Sequence, residues 1–123
     1  MASFYNFFLG KAEIIVIPFE ARRILTGSSL SYACEGTVGT LTWFKENNGS
    51  AIKLPSPSLL GVSITSSFHK YGRMRKEVTI SNADSSHIGM YECRLNYEGK
   101  TMQRSVQVDV RGKLMMFLTF YKF

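Results

Sequence analysis

The sequence predicts an all-β protein folded as a sandwich of two sheets. Short runs of alternating apolar and polar residues recur along most of the chain, separated by clusters of Gly, Pro, Asn and Ser. No stretch of useful length has the period of an amphipathic helix, and we find no internal repeat. The 123 residues are 45% hydrophobic and 13% aromatic, which is enough for one core. We therefore expect one domain of about seven to eight strands.

The predicted strands follow one another at short intervals. In chain order they are 13–18 with a short continuation at 23–25, then 30–34, 41–44, 51–54, 62–65, 76–80, 91–95 and 106–110. Pro18 ends the first strand, as is tolerated at a sheet edge. The pair Asn48-Gly49 suits a type I′ hairpin turn, and the segment 55–58 predicts a loop that crosses to the other sheet.

Four residues form a framework that resembles the immunoglobulin superfamily. Trp43 lies nine residues after Cys34, and Tyr91 lies two residues before Cys93. The resemblance covers roughly 13–111 and is closest to the intermediate, or I-type, set. It implies an antiparallel Greek-key sandwich with a Cys34–Cys93 disulfide between the sheets, Trp43 facing the bridge, and Tyr91 fixing the corner before the second cysteine's strand. Residues 1–12 then form an N-terminal extension and residues 112–123 an apolar tail.

The chain also departs from the family's pattern. His87 stands where the family usually has an aspartate, two residues before the glycine of the tyrosine corner. The short interval between Cys34 and Trp43 predicts a tight loop between their strands. These differences alter the loops through which family members bind, so no ligand is inferred from the resemblance.

The cysteines and the chain ends bear on the cellular compartment. A disulfide indicates an oxidising compartment, whereas two buried thiols would fit the cytosol. Residues 4–9 are apolar but lack the basic segment and cleavage site of a signal peptide. The tail segment 114–121 is far shorter than the roughly 20 residues of a membrane-spanning helix. The tail is either a sign of truncation or an extra strand.

Asn48-Gly49-Ser50 is also an N-glycosylation sequon on a predicted surface turn. The alternative is a hairpin turn that fits the sequon by chance. Asn48 is therefore a candidate glycosylation site only if the chain enters the secretory pathway.

The densest basic run spans 69–76 in a chain of net charge +6. Its candidate contacts for heparan sulfate are Lys70, Arg73, Arg75 and Lys76. The alternative is a solvated strand edge whose charges prevent aggregation. Nucleic acid is an unlikely partner because no known reading module is present.

Catalysis has little support in the sequence. The two histidines, His69 and His87, show no metal-ligand spacing with each other or with the cysteines. No nucleophile elbow, phosphate loop or paired-carboxylate motif is found. We expect no enzyme activity, no metal and no cofactor.

The remaining candidate is a protein-binding face formed by Phe44, Arg94, Asn96, Tyr97 and Lys100. Aromatic residues and arginine are common at the energetic centre of interfaces. The resemblance implies a protein-recognition or cell-adhesion module of an extracellular or cell-surface protein, with a protein ligand or neighbouring immunoglobulin domains as partners. The alternatives are a heparan-sulfate-binding receptor module and an intracellular structural module of the kind found in muscle filament proteins.

Overall fold

A computed structural model describes residues 14–18, 20–68 and 72–112. They form nine strands and one 3-10 turn, Ser85–His87. The strands are β1 Ile14–Ile17, β2 Arg22–Leu25, β3 Leu30–Gly36, β4 Thr40–Asn47, β5 Ser50–Lys53, β6 Val62–Phe68, β7 Met74–Ile80, β8 Gly89–Tyr97 and β9 Lys100–Arg111. The predicted extension 1–12 and all of the apolar tail except Gly112 lie outside the described residues, so these predictions stay open.

The strands form two sheets, as the sequence predicts. One sheet has the order β1-β3-β7-β6 and the other the order β2-β9-β8-β4-β5. All pairs are antiparallel except β2 with β9, which is parallel. Loops carry the chain from β5 to β6 and from β7 to β8, across the sandwich.

The prediction that 23–25 continues the first strand is wrong. Ile14–Ile17 pairs with β3, whereas Arg22–Leu25 pairs with Val108–Arg111 in the other sheet. Pro18 follows β1 and has no N–H to extend the hydrogen-bonded ladder. The chain therefore leaves the first sheet there and crosses to the second, which also explains why nine strands form.

The core centres on the predicted disulfide. Cys34 on β3 and Cys93 on β8 are bonded to each other, and both are fully buried. Trp43 lies directly opposite Cys93 in the register of β4 and β8, and it is 1% exposed. Its indole Nε1–H donates to the carbonyl oxygen of Lys76 at 2.9 Å. The bridge and its tryptophan thus link both sheets.

Tyr91 closes the corner between the two sheets. Its side chain is buried, and its hydroxyl donates to the carbonyl oxygen of His87 at 2.7 Å. Burial, with a smaller contribution from the charge of Asp84, raises the pKa of this phenol. The hydroxyl therefore stays protonated and acts as the donor that the carbonyl oxygen requires.

Tight turns set the register of the neighbouring strands. Asn47 pairs with Ser50 across the turn Asn48-Gly49, where both residues have positive φ, 50° and 85°. That combination defines the predicted type I′ hairpin. The loop between β3 and β4 contains three residues, 37–39, and a Cβ at Gly39 would collide with the carbonyl oxygen of Asn96. The tight loop expected from the sequence is confirmed.

We expect Tyr91→Phe to lower the free energy of unfolding by about 1–2 kcal/mol, because it leaves the buried carbonyl oxygen of His87 without a donor. Denaturant unfolding followed by tryptophan fluorescence measures this change. Tyr97→Phe is the matched control, since Tyr97 lies on the same strand and is only half-buried. Equal stability of the Tyr91→Phe variant and the wild type would contradict this role of the hydroxyl.

Candidate protein-binding surface

The five predicted contact residues do not share one face. Phe44, Arg94 and Asn96 project from the outer side of the five-stranded sheet, as their alternation with buried neighbours shows. Tyr97 and Lys100 pair with each other at the β8–β9 hairpin and have the opposite parity. Successive strand residues point to opposite faces, so Tyr97 cannot share the direction of Asn96.

A stacked pair dominates the outer side of this sheet. The guanidinium carbon of Arg94 lies 4.1 Å from the centre of the Phe44 ring, within the range of a cation–π contact. The Nε of Arg94 also donates to the carboxylate of Glu92. The side chains of Arg94 and Glu92 are 33% and 20% exposed. The Phe44 ring and the Glu92 carboxylate thus hold the guanidinium of Arg94 in place.

A shallow depression of about 220 Å³ opens beside the stacked pair. Phe44, Glu92 and Arg94 line it together with Met90, Ser105 and residues of the β4–β5 hairpin. We call Phe44, Met90, Glu92, Arg94 and Ser105 the Phe44–Arg94 surface. It combines the ring of Phe44, the thioether of Met90 and the ion pair of Arg94 with Glu92, whose charges cancel.

Two candidate residues border this surface. Asn96 is exposed, and its side-chain oxygen accepts from the hydroxyl of Thr101 at 2.6 Å. Asn48 is exposed at the tip of the hairpin that lines the depression. Glycosylation of Asn48 remains a prediction, and the next two residues, Gly49 and Ser50, line the depression.

The basic run is partly neutralised by two acidic residues, Glu35 and Glu77. Arg75 pairs with Glu35 at 2.8 Å and with Glu77 at 3.6 Å, and Arg73 lies 3.7 Å from Glu35. The Glu35 side chain is only 8% exposed, on the outer side of β3. Its proximity to Arg75 follows from the β3–β7 register, which places the two residues opposite each other.

Of the other two basic candidates, only Lys76 can be placed relative to this cluster. Lys70 lies outside the described residues. Lys76 pairs with Cys34 in the register of β3 and β7, so it has the inward parity of Val78 and Ile80. It therefore leaves β7 on the opposite side from Arg75.

His87 has a structural role that sequence reading missed. Its side chain is 3% exposed; Nδ1 accepts from the N–H of Asp84 at 3.0 Å, and Nε2 lies 2.7 Å from the carbonyl oxygen of Leu60. These two partners require a neutral ring with its proton on Nε2. Both ring nitrogens are therefore used to join the turn before β8 to the loop before β6.

Asp84 and Asp109 each accept hydrogen bonds that favour the ionised carboxylate. Hydrogen bonds from the hydroxyl and N–H of Ser86 lower the pKa of the Asp84 carboxyl. Desolvation acts against the ionised form of Asp109, but Arg111 and Arg23 outweigh it and lower the pKa of that carboxyl. Among the described residues, no group of three or more His, Cys, Asp or Glu side chains is placed to hold a metal ion.

Comparison with solved structures identifies the architecture. A chimeric titin Z1Z2 chain carrying a decorin peptide matches 84% of this chain and 99% of its own length, with a TM-score of 0.62 and 20% identity. Titin Z1Z2 in complex with telethonin matches with a TM-score of 0.64 and 20% identity, over 84% of this chain and 49% of that one. The titin M10–obscurin-like 1 complex matches with a TM-score of 0.60 and 16% identity, over 83% of this chain and 97% of that one. The chain has an immunoglobulin-like fold. No protein-family model and no curated protein matches the sequence.

This immunoglobulin-like domain also has a nearly buried lysine beside Tyr91. Lys45 is 8% exposed at an inward position of β4, with its ammonium 5.9 Å from the centre of the Tyr91 ring. It donates to the carbonyl oxygen of Glu46 at 3.4 Å and makes no ion pair with any described residue. No described helix is long and apolar enough to span a membrane.

We expect Arg75→Ala to lower the free energy of unfolding by about 1–2 kcal/mol, because it deprives the nearly buried Glu35 carboxylate of its closest partner. Arg73→Ala is the matched control and should cost under about 0.5 kcal/mol, since it lies farther from Glu35 and is more exposed. Chemical unfolding of both variants tests the difference. Equal losses, or a larger loss for Arg73→Ala, would contradict the assignment.

Proposed function

We propose that this immunoglobulin-like domain is a non-enzymatic protein-recognition module that contacts its partner through the Phe44–Arg94 surface. The observation that supports it is the stacking of Arg94 on Phe44, beside Glu92, on the solvent side of the sheet. Arginine and aromatic side chains contribute strongly to binding when a partner excludes water from them.

The surface is ordered before any partner arrives. Arg94 is already held by Phe44 and Glu92, so binding would immobilise fewer freely rotating side chains. The strands that carry these residues pair without interruption, from Thr40 to Lys45 on β4 and from Tyr91 to Asn96 on β8. A pre-ordered surface on a rigid sheet reduces the entropic cost of association.

Charge helps to describe the partner. The chain carries a net charge of +6, which favours encounter with acidic proteins. At the Phe44–Arg94 surface itself, Glu92 offsets the charge of Arg94. We therefore expect the partner to present apolar and polar groups to the Phe44–Arg94 surface. Its acidic groups would lie around that contact and interact with the positive charge of the rest of the domain.

The similar structures support a protein partner. One contains titin domains with telethonin, and another contains a titin domain with an obscurin-like immunoglobulin domain. Heparan sulfate has weaker support, because Glu35 and Glu77 already pair with Arg73 and Arg75.

Two features of the chain bear on where the module acts. The Cys34–Cys93 disulfide and the exposed sequon at Asn48 favour adhesion or recognition at the cell surface. The similarity to titin domains favours the second candidate, an intracellular structural module. The redox state of the cysteines in the cell separates the two.

We expect protein recovered from its native cells to have Cys34 and Cys93 bridged, because the fold brings these two residues together in the core from inner strands of the two sheets, and both are fully buried. Intact mass under non-reducing conditions, after alkylation of free thiols, measures this state. Reduction before alkylation is the control and should add two alkyl groups. Two alkylated cysteines without reduction, together with a bare Asn48, would instead support the intracellular module.

The recognition surface can be tested with a photo-crosslinking residue at Ser105, which is exposed and lines the depression. In native cells we expect a discrete protein adduct from this position and none from the same probe at Ser29, an exposed residue before β3. Equal adducts from both positions would contradict the proposed surface.

For the protein identified in that adduct, we expect Arg94→Ala to weaken binding at least about tenfold. Arg104→Ala is the matched control, because Arg104 is an exposed arginine of the opposite parity on β9. Calorimetric titration measures both affinities, with circular dichroism to confirm folding. Unchanged affinity of a folded Arg94→Ala variant would refute the role of the surface.

A further inference from the structure

Strand β6 lies at the edge of the four-stranded sheet, and the described residues give it none of the usual protection of an edge strand. It has seven residues, VSITSSF, with no charge, proline or glycine. It pairs with β7 on one side, and within the described residues no strand covers its other side. In the part of the chain that the structure describes, no backbone group pairs with the N–H and C=O groups on that side. Exposed edges of this kind promote pairing between chains unless lysine, proline or a bulge prevents it.

The other edge strands carry such protection or are shorter. Strand β1 has four residues and is followed by Pro18. Strand β2 also has four residues and carries Arg22 and Arg23. Strand β5 carries Lys53 and is followed closely by Pro55. The contrast singles out β6 among the edges that the structure describes.

The two faces of β6 differ in chemistry. Ser63, Thr65 and Ser67 form the solvent-facing row. On the other face Val62 and Ile64 pack against the core, while Phe68 is 81% exposed. A large aromatic side chain on an uncharged edge adds apolar area that a neighbouring strand could cover.

We propose that β6 pairs in antiparallel fashion with β6 of a second copy of this chain, joining the two four-stranded sheets into one. A two-fold axis at Thr65 would place Thr65 opposite its own copy and Ser63 opposite Ser67. The same register places Phe68 opposite Val62 on the core-facing side. Such an interface is isologous, because one strand serves both partners.

A second copy fits this edge better than a strand of different chemistry because the sequence of β6 is compatible with itself. Hydroxyl side chains meet hydroxyl side chains, which is a favourable cross-strand pairing. Self-association of a chain with net charge +6 is opposed by repulsion, and β6 places no like charges opposite one another. The proposed contact is on a different sheet from the Phe44–Arg94 surface and does not depend on it.

Charge placed at the proposed axis provides the test. Sedimentation equilibrium of the full chain should show a concentration-dependent dimer. Thr65→Lys should weaken dimerisation at least about tenfold, because the two lysines would face each other, and Thr65→Glu should do the same. An equimolar mixture of these two variants should recover a heterodimer. Thr65 is exposed, so neither variant disturbs the core.

Ser29→Lys is the matched control, since it adds the same charge at an exposed position outside the strands. It should dimerise as the wild type does. A wild type that stays monomeric up to millimolar concentration overturns the proposal and leaves the edge open to an extended segment of another protein. The proposal is also overturned if the dimer tolerates Thr65→Lys, if the mixture fails to associate, or if Arg94→Ala dissociates the dimer instead.

Discussion

The bond between Cys34 and Cys93, with Trp43 packed beside it, positions the rest of the structure. It joins an inner strand of one sheet to an inner strand of the other. In the chain-entropy model, closing a loop of this length contributes about 4 kcal/mol. Because side chains alternate along a strand, the inward direction of the two cysteines also sets the direction of every other residue on β3 and β8. Their pairing partners inherit this register.

Much of the fold could be predicted because alternation and turn chemistry act locally. Residues such as Leu30 and Trp43 lie inward, and Asn48-Gly49 forms the expected turn. Local alternation does not predict that Arg22–Leu25 crosses to the other sheet. Proline explains why the first strand ends, but the next partner is a strand more than 80 residues later in the chain. Local sequence contains no signal for that pairing.

The candidate sites show the same division between local and distant information. The inward parity of Lys76 and the position of Tyr97 follow from their spacing to Val78 and Cys93, so alternation alone could have separated them from the other candidates. The Glu35–Arg75 pair depends on the register of two strands. The role of His87 depends on a loop 27 residues earlier. Neither contact can be predicted from residues that are neighbours in the sequence.

The two proposed contacts have complementary consequences because they lie on different sheets. Pairing through β6 extends the four-stranded sheet at its edge, whereas the Phe44–Arg94 surface lies on the outer face of the five-stranded sheet. A dimer formed through β6 would therefore carry two recognition surfaces. If one partner assembly presents two suitable sites, the second contact becomes intramolecular and raises the overall affinity without any new side-chain contact. A weak edge-to-edge dimer would then be sufficient to convert modest recognition by one domain into stable attachment.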